Sequence, residues 1–93
     1  MLLIPEKMNE IEKQMRKRHK PDPWRRVFEA TLIKFKDHII SDIINARYIK
    51  GQTVIFTCAE LDISESTYHK YREAALNAFM AGLIQEGVLK LYD

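Results

Sequence analysis

The chain has 93 residues, one cysteine, a formal net charge of +2 at pH 7 and 46% hydrophobic residues. This size and composition predict one small globular domain, and the single cysteine, without His/Cys ligand spacing, excludes an internal disulfide and argues against a zinc site. The short apolar start lacks the features of a signal peptide, and no run approaches the roughly 20 apolar residues of a membrane helix, so we expect a soluble cytoplasmic protein.

The first predicted element is a helix over about residues 5–19, made mostly of strong helix formers. Ile4, Met8, Ile11 and Met15 form a narrow apolar stripe, so this helix has to dock on something to be stable. We interpret residues 1–21 as a basic N-terminal helical arm. Residues 1–36 carry a charge balance of +5 against −3 for residues 37–93. The candidate phosphate contacts lie in this basic part and are Arg16, Lys17, Arg18, Lys20, Arg25 and Arg26. The alternative is that these residues only form a solvated basic face.

Pro21-Asp22-Pro23 begins the main domain, 22–93, and predicts a helix start with Asp22 as the cap. Apolar residues at helical spacing continue to about residue 49, so we predict a helix over 23–49, with a break near residue 37 as the alternative because this is long for one helix. The apolar content exceeds what so small a core requires, which predicts a homodimer through residues 24–49. Gly51 is predicted to end the segment.

Two further capped helices are predicted, over 53–60 and 64–86, with Thr53 and Ser64 as the caps. The connection Leu61-Asp62-Ile63 is tight, and we expect a positive φ at Asp62. Ala59 is small enough to permit close packing at the turn. Short helix, tight turn and long helix together predict a helix-turn-helix with its core at residues 53–80 in an all-α bundle. Its inward anchors are expected to be Tyr68, Tyr71, Ala75, Leu76 and Phe79.

The stretch LDISESTYHKYREAAL, residues 61–76, resembles region 4 of the sigma-70 family of bacterial sigma factors. The shared features are the Leu-x-x-Ser turn, the anchor that follows and the Ala-Leu end of the helix, although Asp62 stands where the family has glycine. With the lead-in RYIKGQT the sequence is more similar to sigma-like phage regulators of the ArpU/RinA type, small proteins associated with late-gene control. The resemblance covers about residues 43–80. It implies a transcription regulator of a phage or prophage that binds double-stranded DNA.

Carried onto this chain, the resemblance implies that the first turns of the last long helix face the major groove. The candidates for base contacts are Glu65, Ser66, Thr67, His69 and Lys70, because their side chains donate to guanine or accept from cytosine. Arg72 and Lys50 are candidates for phosphate contacts. Helix capping is the alternative role for Ser66 and Thr67, and a solvated surface position is the alternative for His69.

No motif indicates catalysis, since the three histidines lie on separate segments and no phosphate-binding glycine loop or nucleophile elbow occurs. We therefore expect no enzymatic activity, no cofactor, no metal and no small-molecule substrate. The alternative function is a protein-interaction or oligomerisation module on a helix-turn-helix scaffold. Such a module would be an RNA polymerase-binding factor or a small terminase-like DNA-packaging protein. The run Val54-Ile55-Phe56 fits this alternative, because Phe56 is expected to be exposed and to meet a partner.

Overall fold

The computed structural model describes residues 5–89 and contains five α-helices in that range. They are α1 (Pro5–Met15), α2 (Asp22–Lys34), α3 (Ile39–Ile44), α4 (Val54–Leu61) and α5 (Glu65–Gln85), and a π-helical segment, Asn45–Ile49, continues α3. No strand occurs among the described residues, so the all-α prediction is confirmed. Within the same residues, no helix has both the length and the apolar character that crossing a membrane requires.

Helix α5 is the centre of the fold and contacts each of the other four helices. Its predicted anchors Tyr68, Ala75, Leu76 and Phe79 are all 0% exposed, and Tyr71 is partly buried. Most of α5 packs in a large cluster with α1, α2 and α3. A smaller cluster of Ile43, Cys58 and Tyr68 joins α3, α4 and the start of α5. The helices around the turn at residues 62–64 therefore share a core with the rest of the chain.

The predicted helix over 23–49 is broken near residue 37, as the alternative expected. Asp37 has φ of 64°, a left-handed conformation that cannot continue an α-helix. His38 then caps α3, because its Nδ1 accepts a hydrogen bond of 3.1 Å from the Ile40 backbone nitrogen. The break lets α2 and α3 approach the core from different directions.

Most apolar residues of the 24–49 segment are buried or partly buried within a single copy of the chain. The buried ones are Val27, Phe28, Ile40, Ile43, Ile44, Ala46 and Tyr48. Ile33 and Ile49 remain largely exposed, at 74% and 56%. Much of the apolar surplus in this segment is therefore core, and the homodimer through residues 24–49 stays a prediction.

Two details of the N-terminal half differ from expectation. Asp22 does not cap α2; it is the first helical residue, Pro21 holds the cap position, and the Asp22 carboxylate accepts from Arg25 one turn later. The N-terminal segment is also shorter than the predicted 5–19 and is packed: Ile11 and Met15 of α1 are 2% and 0% exposed in the main core. Residue 21 thus lies in a turn between two packed helices. Ile4 lies outside the described residues.

Gly82 lies within α5 at the position where Val27 of α2 packs against the helix. A Cβ at this position would lie 2.8 Å from Cγ1 of Val27, a separation too short for two carbon atoms. The glycine therefore removes a clash rather than ending the helix, which runs to Gln85. Gly51 and Gly87 have φ of 69° and 77° and follow helical segments, which confirms the stop predicted at Gly51.

Candidate functional site

The connection between α4 and α5 is a three-residue turn, 62–64, with a left-handed residue and a cap. Asp62 has φ of 55° and ψ of 50°, which confirms the predicted positive φ. The Ile63 backbone nitrogen donates to the Cys58 carbonyl at 3.0 Å. Ser64 Oγ then accepts from the Thr67 backbone nitrogen at 3.1 Å, and Thr53 caps α4 in the same way. The left-handed Asp62 and these hydrogen bonds reverse the chain sharply, and the Ser64 cap sets the residue at which α5 begins.

Tyr68 fixes the start of α5 to the body of the protein. Its ring is fully buried, and its hydroxyl accepts a 2.9 Å hydrogen bond from Nε of Arg47 in the π-helical segment. Arg47 Nη1 also donates to the Gln52 carbonyl at 2.6 Å. The expected role of Ala59 is wrong, since Ala59 is exposed and the small residue that packs with Tyr68 is Cys58. The single cysteine is buried, as expected, and burial is the main cause that raises its pKa.

The opposite side of α5 is polar and open to solvent. Four of the five predicted base-contact residues are exposed: Glu65, Ser66, His69 and Lys70. Because residues three and four apart share a helix face, Ser66, His69 and Lys70 lie on one side of α5. Glu73, which helical spacing already predicts on the polar side, and Asn77, which was not predicted, extend this exposed face. We call Ser66, His69, Lys70, Glu73 and Asn77 the polar face of α5.

Thr67 does not belong to the polar face. It is half-buried, its backbone nitrogen is capped by Ser64, and its hydroxyl accepts from Ser64 Oγ at 2.9 Å. Ser66 Oγ lies 3.2 Å from Ser64 Oγ while staying exposed. The alternative role in helix capping therefore fits Thr67, whereas Ser66 takes part in the cap and remains accessible.

Arg72 points inward and pairs with Glu12 of α1. Arg72 Nη2 donates to Oε1 of Glu12 at 2.7 Å and Arg72 Nε donates to Oε2 at 2.9 Å, a bidentate pair. The hydroxyl of Tyr48 donates to the same Oε2 at 2.6 Å. The guanidinium is committed to this internal pair, so we withdraw Arg72 from the candidate phosphate contacts. Glu12 was not predicted from the sequence, because a glutamate in this pattern is typical of a surface position on α1.

The Glu12 carboxylate is held in its charged form. Burial alone would raise its pKa, but the hydrogen bonds from Arg72 and Tyr48 and the charge of Arg72 outweigh burial and hold the pKa below its ordinary value. The pKa of Tyr48 is raised, first by burial and then by the Glu12 charge. Hydrogen bonding to Glu12 raises the pKa of Arg72. This pair fixes α1 against α5 one turn beyond His69.

The six basic residues predicted as phosphate contacts do not form one surface of free charges. Arg25 pairs with Asp22 and Arg26 pairs with Glu86, with closest distances of 2.9 and 2.6 Å. Lys20 donates to the Lys17 carbonyl and lies 4.2 Å from the centre of the Phe28 ring, and burial lowers its pKa.

Other predicted cations remain accessible. Arg16 lies 3.4 Å from Glu12, with 47% of its side chain exposed. Lys17 and Arg18 are exposed, and within residues 5–89 neither side chain forms an ion pair. Lys50 is also exposed and lies shortly before α4. The exposed basic charge of these candidates therefore comes from single side chains rather than from a continuous patch.

Metal-ligating side chains do not cluster in residues 5–89, the part of the chain that the structure describes. No group of three or more His, Cys, Asp or Glu residues there is arranged to hold a metal ion.

Comparison of the chain with protein-family models, with curated proteins and with solved structures found no match.

Proposed function

We propose that this chain is a sequence-specific DNA-binding regulator of transcription in which α4 and α5 act as a helix-turn-helix. The observation that supports this function best is the asymmetry of α5. One side is fixed by Tyr68, which is 0% exposed and hydrogen-bonded to Arg47, while the polar face is open to solvent. The resemblance to sigma-70 region 4 and to the ArpU/RinA type adds a phage or prophage context, including control of late genes.

The start of α5 supplies side chains suited to reading base edges in a major groove. Lys70 and His69 donate to guanine, and Glu65 or Glu73 accepts from the amino group of cytosine. The capped N-terminus of α5 aims its backbone dipole toward phosphate, and the buried Tyr68 prevents the helix from rolling in the groove. Discrimination between sequences then depends on few contacts, which makes each of them costly to lose.

Phosphate contacts come from exposed cations outside the polar face. Lys50 lies before α4, and Arg16 shares Glu12 with Arg72, the eighth residue of α5. Lys17 and Arg18 follow in the same segment. Four contacts of this kind predict that affinity falls about 100-fold between 50 and 200 mM salt.

The test uses duplexes selected from a random-sequence DNA library by the full chain, followed by fluorescence anisotropy on the enriched site. We expect Lys70→Glu to weaken binding at least tenfold, because it replaces a donor at the base edges by an acid. Lys36→Glu is the matched control, since Lys36 is an exposed lysine in the turn between α2 and α3. Selection that enriches no sequence, or equal losses for both variants, would overturn the proposal.

A second function, a protein-interaction module, is favoured by the exposed face of α4. Ile55 and Phe56 are 74% and 53% exposed, and the polar face of α5 carries an acid, Glu73, beside its one lysine. An RNA polymerase-binding factor would bind polymerase without DNA, and purified polymerase in a pull-down tests this directly. A small terminase-like protein would instead form a large ring, which light scattering would detect.

A further inference from the structure

The exposed face of α4 carries its large apolar side chains in the first turn and an acid, Glu60, in the last turn, where Glu60 accepts from Gln52 Nε2 at 3.5 Å. Ile55, Phe56, Ala59 and Glu60 are all exposed, at positions that share one side of the helix. Thr57 and Cys58 lie on the opposite, buried side. Two large apolar side chains, 74% and 53% exposed, therefore stand together on a helix of eight residues.

We propose that this face binds a second copy of the chain, with the two α4 helices antiparallel across a two-fold axis. The charges at the two ends of the face support this occupant. Lys50 lies before the N-terminal end of α4, while Glu60 and Asp62 lie at its C-terminal end. Antiparallel pairing sets the basic end of each copy against the acidic end of the other, and it also aligns the opposite helix dipoles favourably.

The same arrangement satisfies the symmetry of a closed dimer. In a two-fold interface one patch contacts itself, so the patch has to be complementary to its own rotated copy. An apolar patch at Ile55 and Phe56, preceded along the chain by a cation and followed by acids, meets that condition. A partner protein of a single charge sign would match one end of this face and repel the other.

The small size of the face limits the affinity of the dimer. Two exposed apolar side chains and their neighbours make a patch of a few hundred Å² on each copy. The total buried area is then near or below about 1,000 Å², the lower end for specific interfaces, which indicates a weak dimer. We expect dissociation constants of about 10–500 µM, so the dimer forms and separates with protein concentration.

Ile33 of α2 is the matched comparison, since it is exposed by the same 74% as Ile55. Glu29 lies one turn before it in α2, and Lys34 follows it directly, both of them exposed. Ile33 is thus a single apolar side chain among charges, whereas Ile55 adjoins Phe56. The proposal places the interface at Ile55 and not at Ile33.

The test is sedimentation velocity of the full chain without DNA, from 10 µM to 1 mM, which keeps its outcome independent of DNA binding. We expect the mass of the unmodified chain to rise toward that of a dimer. Ile55→Asp should weaken association at least tenfold, and Ile33→Asp should leave it unchanged. A chain that stays monomeric at 1 mM, assembles beyond a dimer, or is disrupted by Ile33→Asp would overturn the proposal.

A charge-reversal set tests the antiparallel arrangement separately. Lys50→Glu and Glu60→Lys should each weaken the dimer several-fold, because each creates a like-charge contact across the axis. The two changes together should restore most of the association, since the pair is then only inverted. Additive losses in the double variant would refute the antiparallel pairing, and circular dichroism of each variant verifies that the helices are intact.

Discussion

Glu12→Gln removes one negative charge from the centre of the contact between α1 and α5. The substitution keeps the shape of the side chain and leaves an oxygen that still accepts from Tyr48. It leaves the guanidinium of Arg72 without its carboxylate, at a site where the Glu12 and Arg72 side chains are 5% and 20% exposed. The expected result is a large loss of stability with little change in packing.

The magnitude follows from the burial of the two partners. Breaking a buried ion pair by removing one member costs about 3–5 kcal/mol, because the other charge is left uncompensated. Arg72 keeps a fifth of its exposure, so water recovers part of this cost, and we expect a loss of about 2–3 kcal/mol. For a chain of this size the melting temperature should fall by about 8–20 °C.

Urea denaturation followed by circular dichroism measures the effect, and a double-mutant cycle isolates the pair. Arg72→Met alone should also destabilise the chain, whereas Glu12→Gln with Arg72→Met should lose less than the two single losses together, with a coupling of about 1–2 kcal/mol. Glu10→Gln, at an exposed position of the same helix, is the control and should change stability by less than about 0.5 kcal/mol. A coupling near zero would refute the ion pair as the link between α1 and α5.

Two further predictions follow from the same packing. Because the pKa of Glu12 is lower in the folded chain than its ordinary value of 4.5, its contribution to stability is complete above about pH 4.5 and is lost as pH falls through the folded-state pKa. Urea midpoints measured from pH 6 to pH 3 should therefore fall more steeply for the unmodified chain than for Glu12→Gln, and parallel curves would contradict this. Gly82→Ala should destabilise the chain by about 1–3 kcal/mol in spite of its better helix propensity, because the new Cβ would lie 2.8 Å from a Val27 methyl. The same change in a Val27→Ala background should cost much less, and a stabilising effect of Gly82→Ala alone would refute the close approach of α2 and α5.

Features of the chain that depend on neighbouring residues were predicted well from the sequence. The caps at Thr53 and Ser64, the left-handed Asp62 and the stop at Gly51 each involve groups within about four residues of one another. The buried side of α5 was also predicted, because helical spacing groups Tyr68, Ala75 and Leu76 on one face whatever packs against it. The cap at Asp22 failed because Arg25, one turn away, holds the carboxylate instead.

What the sequence by itself determined is a set of helices, their ends and the side of each that is apolar, since these depend on local geometry and spacing. Only the tertiary structure decided which charges are free, because an ion pair depends on which helices meet. Glu12 and Arg72 are 60 residues apart, and so are Arg26 and Glu86, so no local pattern pairs them. The same holds for α4, whose apolar residues divide between core and surface only once α3 and α5 cover one side of it.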